Sequence, residues 1–508
     1  MDKVKILALT RLYRCAYPEG YHHTLLQAAI GKDDMIGLNA AHRWLSEKSI
    51  DDASFRDQRL LLRVISRYGS ALREHAAYPR LVGMQRLLWT RSMMAVQEAK
   101  FSLQKIAAAD IPILLIKGAS RLASDESESR RRTSWDIDLV VPPEDMVSAF
   151  DILVGDQWQP SPGASPQSIR QSLPTMRSIN LFRGNFGDID LHRQPFHPGQ
   201  GNHLEDEGLW SRAEMTVLTG VPVRIPRIED QVAIAIAHGG LDGHVHSDWM
   251  VDCALLIQKQ MFDWDELCRI LEVRKVHPSA AIAFHYLSEK LGIDVPSHVL
   301  DYLRKLAIGN PFTLGMSIIQ SRPKERAKII GSVARACAKT IRKATAQKTL
   351  GKTRATPWLK VRALDSTGLR PGGGVVYRWS IPSPINGSDD RRTSKYVLTL
   401  DLLVDPTALP IHRRMEWEIN TPTSHVCRAR YRRWFRRRPK GLLLRLSGLI
   451  AEIPIGEELL FESRPCRQLR SYASAEEKAR YGCVPFQVVS WRFKHLPNVA
   501  GDQPVVDQ

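Results

Sequence analysis

The sequence predicts an α+β protein: a mixed β-sheet flanked by helices, followed by a C-terminal β-rich, sandwich-like domain. Three observations carry this. Residues 1–108 hold long stretches with few breakers and apolar residues at helical spacing. Residues 109–225 alternate short apolar runs with helix-compatible segments. From about Tyr396 onward, short β-type runs stand between Pro and Gly turns.

Within 1–108, Thr24–Ile30 and Leu60–Ile65 read as helix, and Leu81–Ala107 as a long amphipathic helix with Leu87, Leu88, Met93, Met94, Val96 and Leu103. The core at 109–225 reads as a strand at 111–116, a Gly turn and helix from 118, and a strand at 136–141. A helix at 143–154 and strands at 178–183 and 187–192 follow. The stretch 160–175, with four Pro and four Ser, reads as a flexible loop. Residues 226–320 read as helical: Pro226 with Glu229 and Asp230 starts a helix, Gly239-Gly240 stops it, and Ser247 caps the next. On that next helix Asp252 shares an apolar face with Trp249 and Leu256, so its carboxylate needs a partner. An Arg, His238 or a role beside an active site would each supply one. Residues 321–395 read as a basic amphipathic helix (321–350) and a Pro/Gly-rich linker, and 396–497 as the β-rich domain, with strands at 397–404, 415–419, 441–446 and 488–493. The tail at 498–508 is expected to be disordered.

The chain of 508 residues carries a net charge of +18, unevenly placed. Residues 321–370 contribute +12 and residues 428–440 contribute +8, so the other 445 residues sum to −2. A basic surface spread over the whole protein is thereby excluded. In Arg428–Lys440, Tyr431, Trp434 and Phe435 lie among seven arginines and a lysine; a solvated hairpin or loop is the ordinary reading of such a charge run, and contact with RNA or another polyanion is the alternative. The basic 321–350 stretch adds an acidic membrane surface as a second partner class. No apolar run approaches the ~20 residues of a transmembrane helix, and no signal peptide is read. The seven cysteines form no Cys-x-x-Cys pair, which argues against a zinc site and points to reduced thiols and a cytoplasmic protein.

The chemistry concentrates in two acidic strands. In Trp135-Asp136-Ile137-Asp138-Leu139, Asp136 and Asp138 project to one face because strand side chains alternate. Paired buried carboxylates are costly without a cation between them, and a divalent ion held by oxygen ligands is the usual solution. Asp190, in Gly187-Asp188-Ile189-Asp190-Leu191-His192, is the expected third ligand, with Asp188 its rival on the same face. His192 reads either as a nucleotide or acceptor contact or as a structural hydrogen bond. The alternative for the acidic strand itself is an edge with solvated acids. Upstream, Ile111–Ile116 leads into Lys117-Gly118-Ala119-Ser120 and a helix, a place where backbone N–H groups meet phosphate oxygens, with Lys117 and Ser120 as added donors. His238, His244 and His246 lie among glycines and read as an ordinary loop.

These pieces, in this order, resemble the bacterial uncharacterised nucleotidyltransferase family of the DNA-polymerase-β-like nucleotidyltransferase superfamily. The resemblance runs from about Leu81 to Ile257. It is carried by Leu115-Ile116-Lys117-Gly118, Arg132, Asp136-Ile137-Asp138-Leu139-Val140-Val141, Pro143-Glu144-Asp145, Asp190-Leu191-His192 and Trp249-Met250-Val251-Asp252-Cys253-Ala254-Leu255-Leu256. Ala119 departs from the pattern, since many members have Gly or Ser there. The resemblance implies a nucleotidyltransferase core at 109–225 completed by the helices of 226–320. It implies two Mg²⁺ ions, with Asp136 and Asp138 as ligands and Asp190 binding the catalytic ion and positioning the acceptor. Lys117, Gly118, Ser120 and Arg132 would face the triphosphate. The expected activity is Mg²⁺-dependent transfer of a nucleoside monophosphate from an NTP, ATP included, to an unidentified acceptor hydroxyl. The alternative is a non-catalytic protein of the same fold that binds RNA, glycan or acidic lipid through its basic segments and β-rich domain.

Overall fold

The computed structural model describes residues 11–160, 166–197, 199–200 and 203–323, together with eight strands of the C-terminal region given below. The chain divides into two compact units, one of Met1–Trp158 and Thr175–Gly351, the other of Gln159–Pro174 and Lys352–Gln508.

From Gly20 the first unit runs through four helices, α1 (Gly20–Ile30), α2 (Asp34–Glu47), α3 (Phe55–Tyr68) and α4 (Tyr78–Ala108). Their starts follow from the sequence. The Asp33 carboxylate accepts from Ile36 N at 2.9 Å, the Ser54 hydroxyl accepts from Asp57 N at 3.3 Å, and Pro79 occupies the first turn of α4. Leu60, Leu61, Leu62, Val64 and Ile65 bury the inner face of α3.

Six strands of this unit pair in a mixed sheet: β1 (Leu114–Leu115), β2 (Ile137–Val140), β3 (Ser178–Arg183), β4 (Gly187–His192), β5 (Glu214–Leu218) and β6 (Val221–Ile225). Their order is β3-β4-β2-β1-β6-β5, with β2–β4 and β1–β6 parallel and the other pairs antiparallel. β1 is shorter than its apolar run because Pro112 has no N–H to give a ladder. Pairing nevertheless continues around it, from Arg224 N to Ile113 O at 2.7 Å and from Ile116 N to Asp138 O at 3.1 Å. β5 and β6 were not foreseen as strands. They form a hairpin turned by Thr219 and Gly220, both at positive φ, as a tight two-residue connection requires.

Helices α5 (Lys117–Ser124), α6 (Met146–Gly155), α7 (His203–Arg212), α8 (Ile228–Gly239) and α9 (Asp248–Leu256) complete the surroundings of the sheet, and α10 (Trp264–Val273) to α13 (Pro311–Ser321) follow. Ser247 precedes α9 but does not cap it through its side chain. Its hydroxyl is 2.6 Å from His22 Nε2 instead.

The second unit is β-rich. Its strands are β7 (Trp358–Leu364), β8 (Val376–Ser380), β9 (Ser394–Val404), β10 (Arg414–Asn420), β11 (His425–Arg432), β12 (Leu442–Ile453), β13 (Glu458–Ser463) and β14 (Phe486–Leu496). They pair in the order β14-β9-β12-β7-β11-β10-β13-β8. Phe486 on β14 and Phe461 on β13 stand at distant places in that order, yet their ring centroids are 5.1 Å apart. A flat sheet would separate strands six places apart by roughly 28 Å, so the sheet folds back on itself around a shared core. β7 and β8 correct the expected linker. Trp358-Leu359-Lys360-Val361 and Val376-Tyr377 are aromatic and β-branched runs, and the Pro and Gly residues only punctuate them. Pro166–Ser172, expected as loop, is a short helix. The 321–350 helix from residue 324, residues 433–440 of the basic run and the tail lie outside the described residues.

Candidate active site

The parallel pairing of β2 and β4 sets Asp138 directly opposite Asp190. Alternation then fixes the faces. Ile189 and Leu191 are buried under the sheet, while Asp188 and Asp190 are half-buried on the other side with His192. Helix α4 holds the entry to both strands. Ser92 Oγ accepts from Ser134 N at 3.1 Å just before Asp136, and Glu98 accepts from Gly187 N at 2.5 Å at the start of β4.

Into this face reaches Lys117, the first residue of α5. It sits at φ +51°, a strained value for a residue with a Cβ. Its Nζ is 2.5 Å from Asp138 Oδ1. His192, fully buried, places Nε2 at 3.1 Å from the same oxygen and 2.9 Å from Asp190 Oδ2. The ligating atoms of Asp138, Asp190 and His192 all lie within 4.8 Å of one another. Asp136 lies at the mouth of β2, and its backbone carbonyl accepts from Ser134 Oγ at 2.8 Å.

The carboxylates divide by environment. Burial pushes Asp136 up to about 6 and Asp188 up to about 7, and neighbouring aspartates add to both shifts. Burial acts the same way on Asp138, but Lys117 and His192 outweigh it and hold this group below the ordinary range. Asp190, likewise buried, is drawn down to about 2 by His192 and Lys117. Lys117 is held above its ordinary value because Asp138, Asp136 and Asp190 overcome its own burial.

A cation fits this donor set. Several carboxylates converge, and the Oδ1 atoms of Asp188 and Asp190 are buried without a hydrogen-bond partner among the described residues. An ion would satisfy such oxygens directly.

The expected phosphate-facing residues separate into two groups. Lys117 points its ammonium into the acidic face. Ser120 is buried and donates to Lys117 O at 2.8 Å, so its hydroxyl is spent on the turn itself. Arg132 is matched inside the fold: Nε and Nη2 meet Asp252 at 2.8 Å each, and Nη2 is also 3.1 Å from Asp248. Asp248 in turn takes Arg59 at 2.8 Å. Gly118 is required by this arrangement, since a Cβ there would lie 2.5 Å from Arg132 Nη1 and 2.6 Å from Ser134 Oγ. Sequence reasoning missed Arg59 and Asp248, which no spacing rule links to Arg132.

Residues 60–292 match the model of a family described as uncharacterised nucleotidyltransferase. This segment belongs to the uncharacterised nucleotidyltransferase family. The nucleotidyltransferase match spans the acidic strands, the Lys117-Gly118 turn and the Arg132–Asp252 pair, and it ends before the C-terminal strands that begin at Trp358. No curated protein and no solved structure matches the chain. Among the described residues, no helix is long and apolar enough to cross a membrane.

Proposed function

We propose that the protein moves a nucleoside monophosphate from an NTP to an acceptor hydroxyl in an Mg²⁺-dependent reaction, with Asp136, Asp138 and Asp190 as the metal ligands. The observation that carries this reading is the register pair Asp138–Asp190, opposed on adjacent parallel strands beside Lys117 and a buried, unpartnered Asp190 Oδ1. Bound metal supplies Lewis-acid stabilisation of the phosphoryl oxygens. The side chains do the rest. Lys117 is assigned to the triphosphate, where an ammonium offsets charge and donates to oxygen. Gly118 keeps the turn backbone close, while Ser120 and Arg132 shape that turn. As the acceptor oxygen bonds to the α-phosphorus, the bond to the β-phosphate oxygen breaks and pyrophosphate leaves with the electron pair. The hydroxyl proton passes to a carboxylate of the cluster.

The test is a thermal-shift screen of the four NTPs with and without Mg²⁺, comparing the wild type with the Asp136→Ala, Asp138→Ala double variant. A metal-dependent rise in melting temperature with at least one NTP, absent from the double variant, is expected. A wild type that responds to no NTP–metal combination and releases no pyrophosphate would sink the reading.

A further inference from the structure

Asp138, Asp190 and His192 crowd together as a set of two carboxylates and one imidazole. Such a set would favour borderline transition metals over Mg²⁺, which prefers oxygen. The hydrogen-bond geometry points elsewhere. His192 Nε2 faces two carboxylate oxygens, Asp138 Oδ1 at 3.1 Å and Asp190 Oδ2 at 2.9 Å. Both are acceptors, so a bare lone pair on Nε2 would confront two anions, whereas an N–H there bridges them. Ligation through Nε2 would move the hydrogen to Nδ1. That atom is buried and has no hydrogen-bond partner among the described residues. Metal-bound histidines almost always place an acceptor at the second nitrogen, and among the described residues none stands there. The ring meets His238 edge-on at 6.2 Å, and His238 Nε2 is itself engaged with Pro195 O at 2.7 Å.

We propose that His192 is a positioning residue and not a metal ligand: its Nε2–H ties Asp138 Oδ1 to Asp190 Oδ2 across the β2–β4 pair, leaving Asp190 Oδ1 to face the cation. The inference rests on the metal reading given above. It makes the ion's surroundings all-oxygen, in keeping with a hard cation, and it gives β4 two tasks at alternate positions, a ligand at Asp190 and its tether at His192.

Mn²⁺ titrated into the full-length protein tests this, with affinity read by electron paramagnetic resonance and nitrogen coordination read by spin-echo modulation. Two variants accompany the wild type. His192→Gln keeps an amide N–H but has no imidazole, and His192→Leu has neither. We expect no imidazole coupling in the wild type, Mn²⁺ affinity for His192→Gln within about twofold of wild type, and a loss of roughly 10- to 100-fold for His192→Leu. Imidazole coupling in the wild type overturns the proposal. So does an equal loss in both variants, or no loss in His192→Leu. Should His192→Leu fail to fold, the wild-type spectrum and the Gln variant decide alone. A wild type that binds no Mn²⁺ removes the metal reading itself, whereas a wild type that binds while His192→Gln does not removes only the tether.

Discussion

At the scale of single residues, the acidic face is held in tension by one lysine. Lys117 Nζ and His192 Nε2 share Asp138 Oδ1, so an entering cation must compete with an ammonium already in place. Replacing Lys117 with Met should tighten Mn²⁺ binding in the absence of nucleotide and weaken NTP binding by about tenfold, the loss of one charge-assisted hydrogen bond. Isothermal titration of each ligand separately checks both directions. The raised carboxyls give a pH signature. Asp136 and Asp188, pushed up to about 6 and about 7, keep their protons longer in the fold than in the unfolded chain. Their stabilising contribution is full below about pH 4 and is lost as pH rises through about 6 and then 7. Asp188→Asn should therefore raise the metal-free melting temperature more at pH 8 than at pH 4. Metal affinity should climb across the same window, because binding needs the ionised carboxylates.

At the scale of elements, β2 and β4 were legible because their side chains alternate with period two and buried carboxylates are too costly to be accidental. The same alternation places His192 on the face of Asp190, but a sequence does not say which ring nitrogen carries the hydrogen. The β5–β6 hairpin escaped notice because Pro222 disqualifies a run that otherwise reads as strand. It is tolerated because β1 is only two residues long and pairs with β6 at Arg224, beyond the proline. Asp252 was recognisable as a carboxylate in need of a partner, yet the choice between an arginine and His238 depended on packing between elements far apart in the chain. Removing that partner has a measurable cost. Asp252→Ala leaves Arg132 buried beside Asp248 alone and should destabilise the first unit by about 3–5 kcal/mol in chemical denaturation. Gly118→Ala should lower stability as well, since the new methyl meets Arg132 and Ser134 on both sides.

At the scale of the whole molecule, two units each carry their own buried residues: the helices and mixed sheet in one, and Leu398, Leu400, Trp417, Ile419, Leu444 and Phe461 in the other. Calorimetry should resolve two unfolding transitions, of which NTP with Mg²⁺ raises only the one that Asp252→Ala lowers. A ligand shift in the other transition would place nucleotide binding in the β-rich unit instead. The division was visible from the change of hydrophobic period near Tyr396. The position of its border was not, because β7 and β8 are short strands set among Pro and Gly.

The partners Arg132 and Asp252 are 120 residues apart. A ribosome adding about 5–20 residues per second makes the guanidinium roughly 6–24 s before the carboxylate that will neutralise it. Within that interval the nascent chain acquires both acidic strands but lacks the brace for the turn beside them. A polypeptide released between β4 and α9 would hold both acidic strands and leave Arg132 without Asp252.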